Sequence, residues 1–345
     1  MSEADVPGTL ATRVPGAPNE LPLEPRLRIG VQTMHRRSEP ASAPWLPTID
    51  ELQTHVQLID ACGYDSLWAG DHVAFAIPIL DPLLQLAQAA VLSRRLLLGT
   101  AVYLVPLRAP GSIAKMVSSL DHLTEGRLIF GIGVGGEFPK EFELCGVPVN
   151  ERGSRLTESM EVLRKIWSGR PVSHRGRHYQ FSEVAMQPPP RQRGGPPMWC
   201  GGRSDAALAR AAQLADGWIS YVVTPAMFAE SMAKIARFAM ECERRMTSFG
   251  AAHLLFLRLD DDPAEAFRAA NQCLSARYAM DFSKPTRRYA ALGRPADIAA
   301  QARAYYHAGA RHLILDFVGP YEDRDRQIER FAADVMPLIR DLTQG

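Results

Sequence analysis

Long hydrophobic runs are missing from this 345-residue chain: no segment reaches the roughly 20 apolar residues that a membrane-spanning helix needs. A dominant charge is missing too. Lys and Arg number 39 against 38 Asp and Glu, so no global field draws the chain to nucleic acid or to an anionic membrane. Cysteine is scarce, with five residues (Cys62, Cys145, Cys200, Cys242, Cys273), an odd number without a C-x-x-C pair. That excludes a disulfide framework and a structural zinc, and predicts apolar thiols in a reducing, cytoplasmic setting. There is no H-E-x-x-H, no Walker loop and no G-x-S-x-G, so no metal site is predicted. Residues 1–25 hold five prolines and no apolar core of a secretory signal, and are predicted to form a disordered arm.

From residue 26 onward one theme repeats: a short apolar run, a turn, then an amphipathic stretch of helical length. Eight strand candidates emerge, at 26–34, 64–70, 96–105, 127–134, 197–202, 217–222, 253–259 and 311–318. Helical spacing follows each, as in 48–63, where Leu52, Val56, Ile59 and Cys62 recur on one face. Asp81 followed by Pro82 marks the start of the helix over 81–93. Only 170–195 breaks the rhythm, as a small hairpin and a proline-rich loop. Strict alternation predicts an α/β protein with a parallel sheet, and the count of eight points to one closed (β/α)8 TIM barrel over 26–345.

The run "GRLIFGIGVGGEFPKEF" (126–142) contains Gly131, Gly133 and Gly136 in the G-x-G-x-x-G spacing of dinucleotide loops. A true loop needs a helix opening at the third glycine to receive the pyrophosphate. Here Glu137, Phe138 and Pro139 follow, the next long helix is predicted only from about residue 152, and the run lies on the fourth strand. Two readings remain: backbone bared at Gly131, Gly133 and Gly135 for a flat ligand, or packing between strands.

Barrel chemistry collects at the C-terminal strand ends. Strand two ends in Asp71 and His72, whose imidazole can exchange protons near neutrality; adjacent positions face opposite ways, so Asp71 need not touch it. Strand five ends in Gly201, Gly202, Arg203 and Ser204, with a helix starting at once. Glycine amides, a helix N-terminus and a guanidinium there predict an anion site, although Ser204 as a simple N-cap explains the same residues.

Taken together, "YDSLWAGDH", "LLLGTAVYLVPLRAPGSIAKMVSSLDHLTEGRLIFGIGVGGEFPKEFELCGVP", "ERGSRLTESMEVLRKIWSG" and "PPMWCGGRSDAALARAAQLADGWI" resemble the luciferase-like monooxygenase family of flavin and coenzyme F-420 oxidoreductases. The resemblance implies a homodimeric barrel that binds FMN or F-420 at its mouth. It places the catalytic histidine at His72 beside Asp71, and a non-proline cis peptide at Ala101–Val102, after Thr100, under the ring system. Gly133 and Gly135 would flank that ring, and Gly201, Gly202, Arg203 and Ser204 would take the phosphate. Val134 stands where FMN enzymes of the family often carry arginine, which leans the cofactor towards F-420.

The implied chemistry is either hydride transfer with F-420 or monooxygenation with FMNH2 and O2, on a small, largely apolar substrate, with a separate flavin or F-420 reductase as partner. His72 would be the proton-transfer group, Glu137 a second one, and Trp68, Phe75, Phe138, Trp199 and Tyr221 the walls of a dry pocket. Two other classes stay open: a cofactor-free barrel acting on a phosphorylated substrate, and a non-catalytic flavin-binding protein. The first lacks a strand-end lysine for a Schiff base.

Overall fold

The computed structural model describes residues 21–32 and 48–344. Eight parallel strands carry the barrel: β1 (Arg28–Gln32), β2 (Ser66–Ala69), β3 (Leu97–Thr100), β4 (Leu128–Gly133), β5 (Met198–Gly201), β6 (Gly217–Tyr221), β7 (Gly250–Leu259) and β8 (His312–Phe317). Each pairs with the next, and β8 returns to β1, with Arg28 opposite His312 and Gly30 opposite Ile314. The sheet is closed, as the alternation predicted.

Helices α1 (Ile49–Ala61), α2 (Pro82–Leu92), α3 (Pro110–Leu123), α4 (Pro139–Leu144), α5 (Arg152–Ile166), α6 (Asp205–Leu214), α7 (Pro225–Glu241), α8 (Pro263–Tyr278), α9 (Ser283–Tyr289) and α10 (Pro295–His307) lie in the connections. Their starts are readable in the sequence. Asp81 accepts from the amides of Leu83 and Leu84 ahead of Pro82, and Thr48 and Glu51 form a reciprocal capping box on α1. The short α4 corrects the expectation that no helix follows Gly136 before residue 152. Pro139 opens it, but six residues are too few to show a periodic pattern.

The inside of the barrel is filled by Trp68 and Trp199, with ring centroids 5.6 Å apart, packed with Ile129, Ile219, Ala252 and Ile314. Neighbouring strands make room for the indoles. A Cβ on Gly99 would come within 2.3 Å of the Trp68 ring, and one on Gly250 within 2.2 Å of Trp199. Trp68 is 0% and Trp199 9% exposed, so both belong to the core and not, as expected from sequence, to the walls of the mouth. His312 meets both rings edge-on and shares a 2.7 Å hydrogen bond with Ser66 Oγ, which accepts from Trp68 Nε1.

The interruption at 170–195 is the antiparallel hairpin Val172–Arg175 with Gln180–Val184, then a proline-rich loop whose Pro189 carbonyl accepts from His122 Nε2 at 2.8 Å. Residues 21–25, assigned to the arm, are packed: Leu21 and Leu23 lie on the core, and the carbonyls of Pro22 and Pro25 accept from Phe249 N–H and the Tyr306 hydroxyl. The rest of the arm, residues 1–20, and the loop 33–47 lie outside the described residues. No helix among the described residues is long and apolar enough to cross a membrane, and no His, Cys, Asp or Glu group among them could hold a metal ion.

Two interior histidines tie this core to pH. Burial pushes the imidazoles of His253 and His312 down from 6.5 to about 3. The unfolded chain protonates both near pH 6.5 and the folded chain only near pH 3, so stability falls as pH drops through that window. Each contributes up to about 1.4 kcal/mol per pH unit. Circular-dichroism melting midpoints are expected to fall from pH 7 to pH 5, with a shallower slope in His312→Gln; parallel slopes in the two proteins would contradict this origin.

Candidate active site

Strand β3 carries one more residue than its partner. Leu98 and Gly99 face Leu128 and Ile129, whereas Tyr103 and Leu104 face Ile132 and Gly133, so the extra residue is taken up as a bulge across 100–102. The Ala101–Val102 peptide within it is cis. Across from the bulge, strands β4 and β5 are bare for a steric reason. A Cβ on Gly131 would sit 1.8 Å from the Thr100 carbonyl oxygen, and one on Gly133 would sit 2.5 Å from Val102 Cγ2. Val102 Cγ1 lies 3.1 Å from the corresponding position of Gly201. Thr100 Oγ1 donates to the Gly131 carbonyl at 2.6 Å. The glycines at 131 and 133 therefore make room for the neighbouring bulge, while Gly135 and Gly136, both at positive φ, turn the chain towards Glu137.

His72 lies at the end of β2 and is half-buried. Its Nδ1 is 2.8 Å from Glu141 Oε1, and the other Glu141 oxygen accepts the amides of Val73 and Ala74 at 2.7 and 3.3 Å. With both carboxylate oxygens acting as acceptors, Nδ1 carries the hydrogen and Nε2 is the atom left for chemistry. Phe75 stacks on the imidazole at 3.9 Å and 16°. Phe75 in turn meets Phe138 and Tyr278 edge-on, at 5.7 and 6.4 Å, and Tyr278 stacks on Phe282 at 4.6 Å. An aromatic wall thus runs from the histidine to α8.

Asp71 faces away from this group. Its carboxylate takes two hydrogen bonds from Arg108, at 2.6 and 2.9 Å, and one from the Leu104 amide at 2.8 Å, and its side chain is completely covered. Arg108 lies over the Tyr103 ring at 4.4 Å. This pair therefore anchors the segment that follows the bulge to the end of β2. Glu137 remains exposed at the rim, yet the surrounding walls of the mouth desolvate its carboxyl and raise it above the ordinary glutamate range, against the opposing pull of His72 and Arg203.

The turn after β5 is built as expected around an N-cap: Ser204 Oγ accepts from Ala207 N–H at 3.3 Å, and Gly202 has φ +120°. Arg203 donates to the Val222 carbonyl at 3.0 Å and lies 5.4 Å from the Tyr221 ring centre. The amides of Asp205 and Ala206 open α6 and have no intrahelical partner.

The structure thus groups His72, Glu137, Phe75 and Phe138, sets Ala101, Val102, Gly133 and Gly201 against one another, and places Asp71 behind them. Sequence reasoning missed Glu141 and Arg108. Pro139 at a helix start was the available signal for the first, and nothing marked the second.

Comparison with known proteins bears on the family and the fold. The sequence model of the family described as luciferase-like monooxygenase matches residues 27–323. An F420-dependent glucose-6-phosphate dehydrogenase of Kineococcus radiotolerans is 27% identical over 310 residues, covering 81% of this chain and 89% of that protein. An F420-dependent hydroxymycolic acid dehydrogenase of Mycobacterium tuberculosis is 27% identical over 312 residues, covering 84% and 85%. In fold, the monooxygenase RslO1 of Streptomyces bottropensis superimposes with a TM-score of 0.77 at 22% identity, over 90% of this chain and 99% of that one.

If Glu141 sets the imidazole tautomer, 15N NMR of the resting protein will show His72 protonated at Nδ1, and Glu141→Gln will lose that pattern. Glu141→Ala, which also strands the Val73 amide, is expected to destabilise the fold by about 1–3 kcal/mol. An unchanged imidazole spectrum in Glu141→Gln would reject the assignment.

Proposed function

The chain belongs to the luciferase-like monooxygenase family and is an oxidoreductase that works with a flavin-type cofactor, and from that premise we propose hydride-transfer chemistry with coenzyme F-420. The observation that carries the proposal is the Glu141-held imidazole of His72 at the mouth, whose Nε2 has no partner among the described residues. Val134 in place of an arginine, and the F420-dependent enzymes among the relatives, support F-420 over FMN.

The residues present fit such a group. The Thr100–Ala101–Val102 bulge, lying against Gly133 and Gly201, offers an apolar shelf, and the open end of α6 with Arg203 offers donors and positive charge for a phosphate. Thr100, Ala101, Val102, Gly133 and Gly135 would lie against the ring, and Gly201, Gly202, Arg203 and Ser204 would hold the phosphate. Asp71 would serve from behind, by fixing the segment after the bulge through Arg108. When bound, the cofactor supplies the hydride acceptor or donor.

The chain's own residues do the rest. His72 Nε2 gives or takes the proton at the substrate oxygen, while Glu141 keeps Nδ1 protonated and the ring aimed. Glu137, whose carboxyl is raised by desolvation, would serve as a second proton-transfer group at the rim. Phe75, Phe138 and Tyr278 exclude water and favour a small, largely apolar substrate. The five cysteines, all free, support a reducing, cytoplasmic setting.

A homodimer is part of this proposal. On α2, Leu84 and Val91 are 73% and 70% exposed; on the adjacent α3, Met116 and Leu123 are 41% and 53% exposed. Each pair is seven residues apart and so shares a helix face. A second copy of this face would cover it.

Fluorescence titration is expected to show tighter binding of F-420 than of FMN. His72→Asn should keep that affinity and lose about 10²–10⁴ of turnover. Binding of neither cofactor, or undiminished turnover, would overturn the reading. Light scattering should report a dimer that Leu84→Glu with Val91→Glu converts to monomer; an unaltered mass would place the interface elsewhere.

A further inference from the structure

Helix α9 carries a group of cations that the chemistry above does not use. Lys284, Arg287 and Arg288, with Ser283, line an open cavity of about 360 Å3. Spacings of three and four residues put the cations on one side of the helix. Among the described residues none of the three forms an ion pair. The nearby Asp281 accepts from the Ser283 amide at 2.9 Å and also draws on the charge of Lys284, leaving the two arginines without a carboxylate partner among the described residues. On the preceding helix, by contrast, the exposed Arg268 is neutralised by Glu265. The guanidiniums are also held in place, Arg287 at 4.1 Å over the Phe267 ring and Arg288 at 5.3 Å over Tyr289. In a chain with 39 cations against 38 anions, two ring-held guanidiniums beside a lysine form a local positive field.

The position of this field narrows what it can hold. Arg288 reaches Met227 Sδ at 4.0 Å in the first turn of α7, and Arg203 bonds the Val222 carbonyl in the same β6–α7 loop. Arg203 and Arg288 thus lie against the same β6–α7 connection, one on the side of the Gly201–Ser204 turn and one on the side of α9. Phe282 and Tyr278 stack immediately before it in the chain, and Lys284, Arg287 and Arg288 are exposed to solvent. A ligand group held here lies at the open rim, beyond the aromatic wall that ends on α8.

We propose that the α9 cluster binds a multiply anionic tail that extends the cofactor beyond its phosphate, of the oligoglutamate kind that distinguishes F-420 from FMN. The proposal rests on the cofactor reading above and adds to it a second contact region. The shared chemistry, carboxylate or phosphate oxygens on a basic rim, could also come from an acidic substrate. The open cavity, and the connection that Arg288 shares with Arg203 of the phosphate turn, favour the tail.

The test uses the full chain and direct binding. Fluorescence titrations compare F-420 carrying its glutamate tail, the phosphate-bearing form without glutamates, and FMN, at low and high salt. Wild type is expected to prefer the tailed form, with the preference shrinking as salt rises. The combined variant Lys284→Gln, Arg287→Gln, Arg288→Gln should bind the tailed form about tenfold more weakly and the tail-less form unchanged. Melting curves check that this surface variant remains folded.

Equal affinity of wild type for tailed and tail-less forms, or unaltered binding by the variant, overturns the proposal. So does a variant whose only defect is a raised KM for an acidic substrate, which would give the site to that substrate. If wild type binds none of the three cofactors, the functional reading fails as well, and that failure is visible without the variant.

Discussion

The mouth of this barrel is organised by one steric exclusion. Val102 occupies the space that side chains at 133 and 201 would claim, and the Thr100 carbonyl occupies the space of one at 131. Because protein interiors are close-packed, such an intrusion is sustained only if the neighbouring strands give way at those positions. The bulge then shifts the pairing of everything after it by one residue, which brings Leu104 to the Asp71 carboxylate and lets Arg108 reach the same group. The end of β2, and with it His72, is fixed from behind by a strand-to-strand fit that begins with three missing Cβ atoms.

Much of this was written locally in the sequence. Strand periodicity and helix starts such as Asp81–Pro82 depend on residues near one another, and the structure follows them closely. The third strand was read as continuous over 96–105 because its apolar run is unbroken; the bulge interrupts it through contacts with β4 that no local pattern encodes. Trp68 and Trp199 resembled pocket residues for a related reason. They stand near strand ends in sequence, but the glycines that let them sink inward lie on other strands. Glu141 was hidden because its partner is 69 residues away and its helix is only six residues long.

Charge follows the same division between global and local. The whole chain is nearly neutral, and its composition points to no broad electrostatic surface. What matters are small groups whose surroundings differ: Asp71 fully covered and paired, Glu137 exposed but desolvated by the walls around it, Glu141 buried and saturated with donors. Three carboxylates within one mouth thus have three different states of hydration, and only the backbone and packing around each decide which.

The origin of the aromatic wall has a consequence for how this protein can change over time. His72, Glu141, Val102 and the glycines facing it are supplied by the first five strands and their connections. Tyr278, Phe282 and the cations of α9 come from the single excursion between β7 and β8. The two sets touch mainly through Phe75. On the proposed reading, a lineage can rewrite the excursion, and with it what is admitted and how tightly its outer end is gripped, while His72 and its Glu141 support stay intact: reactivity and preference would be inherited on separate stretches of chain.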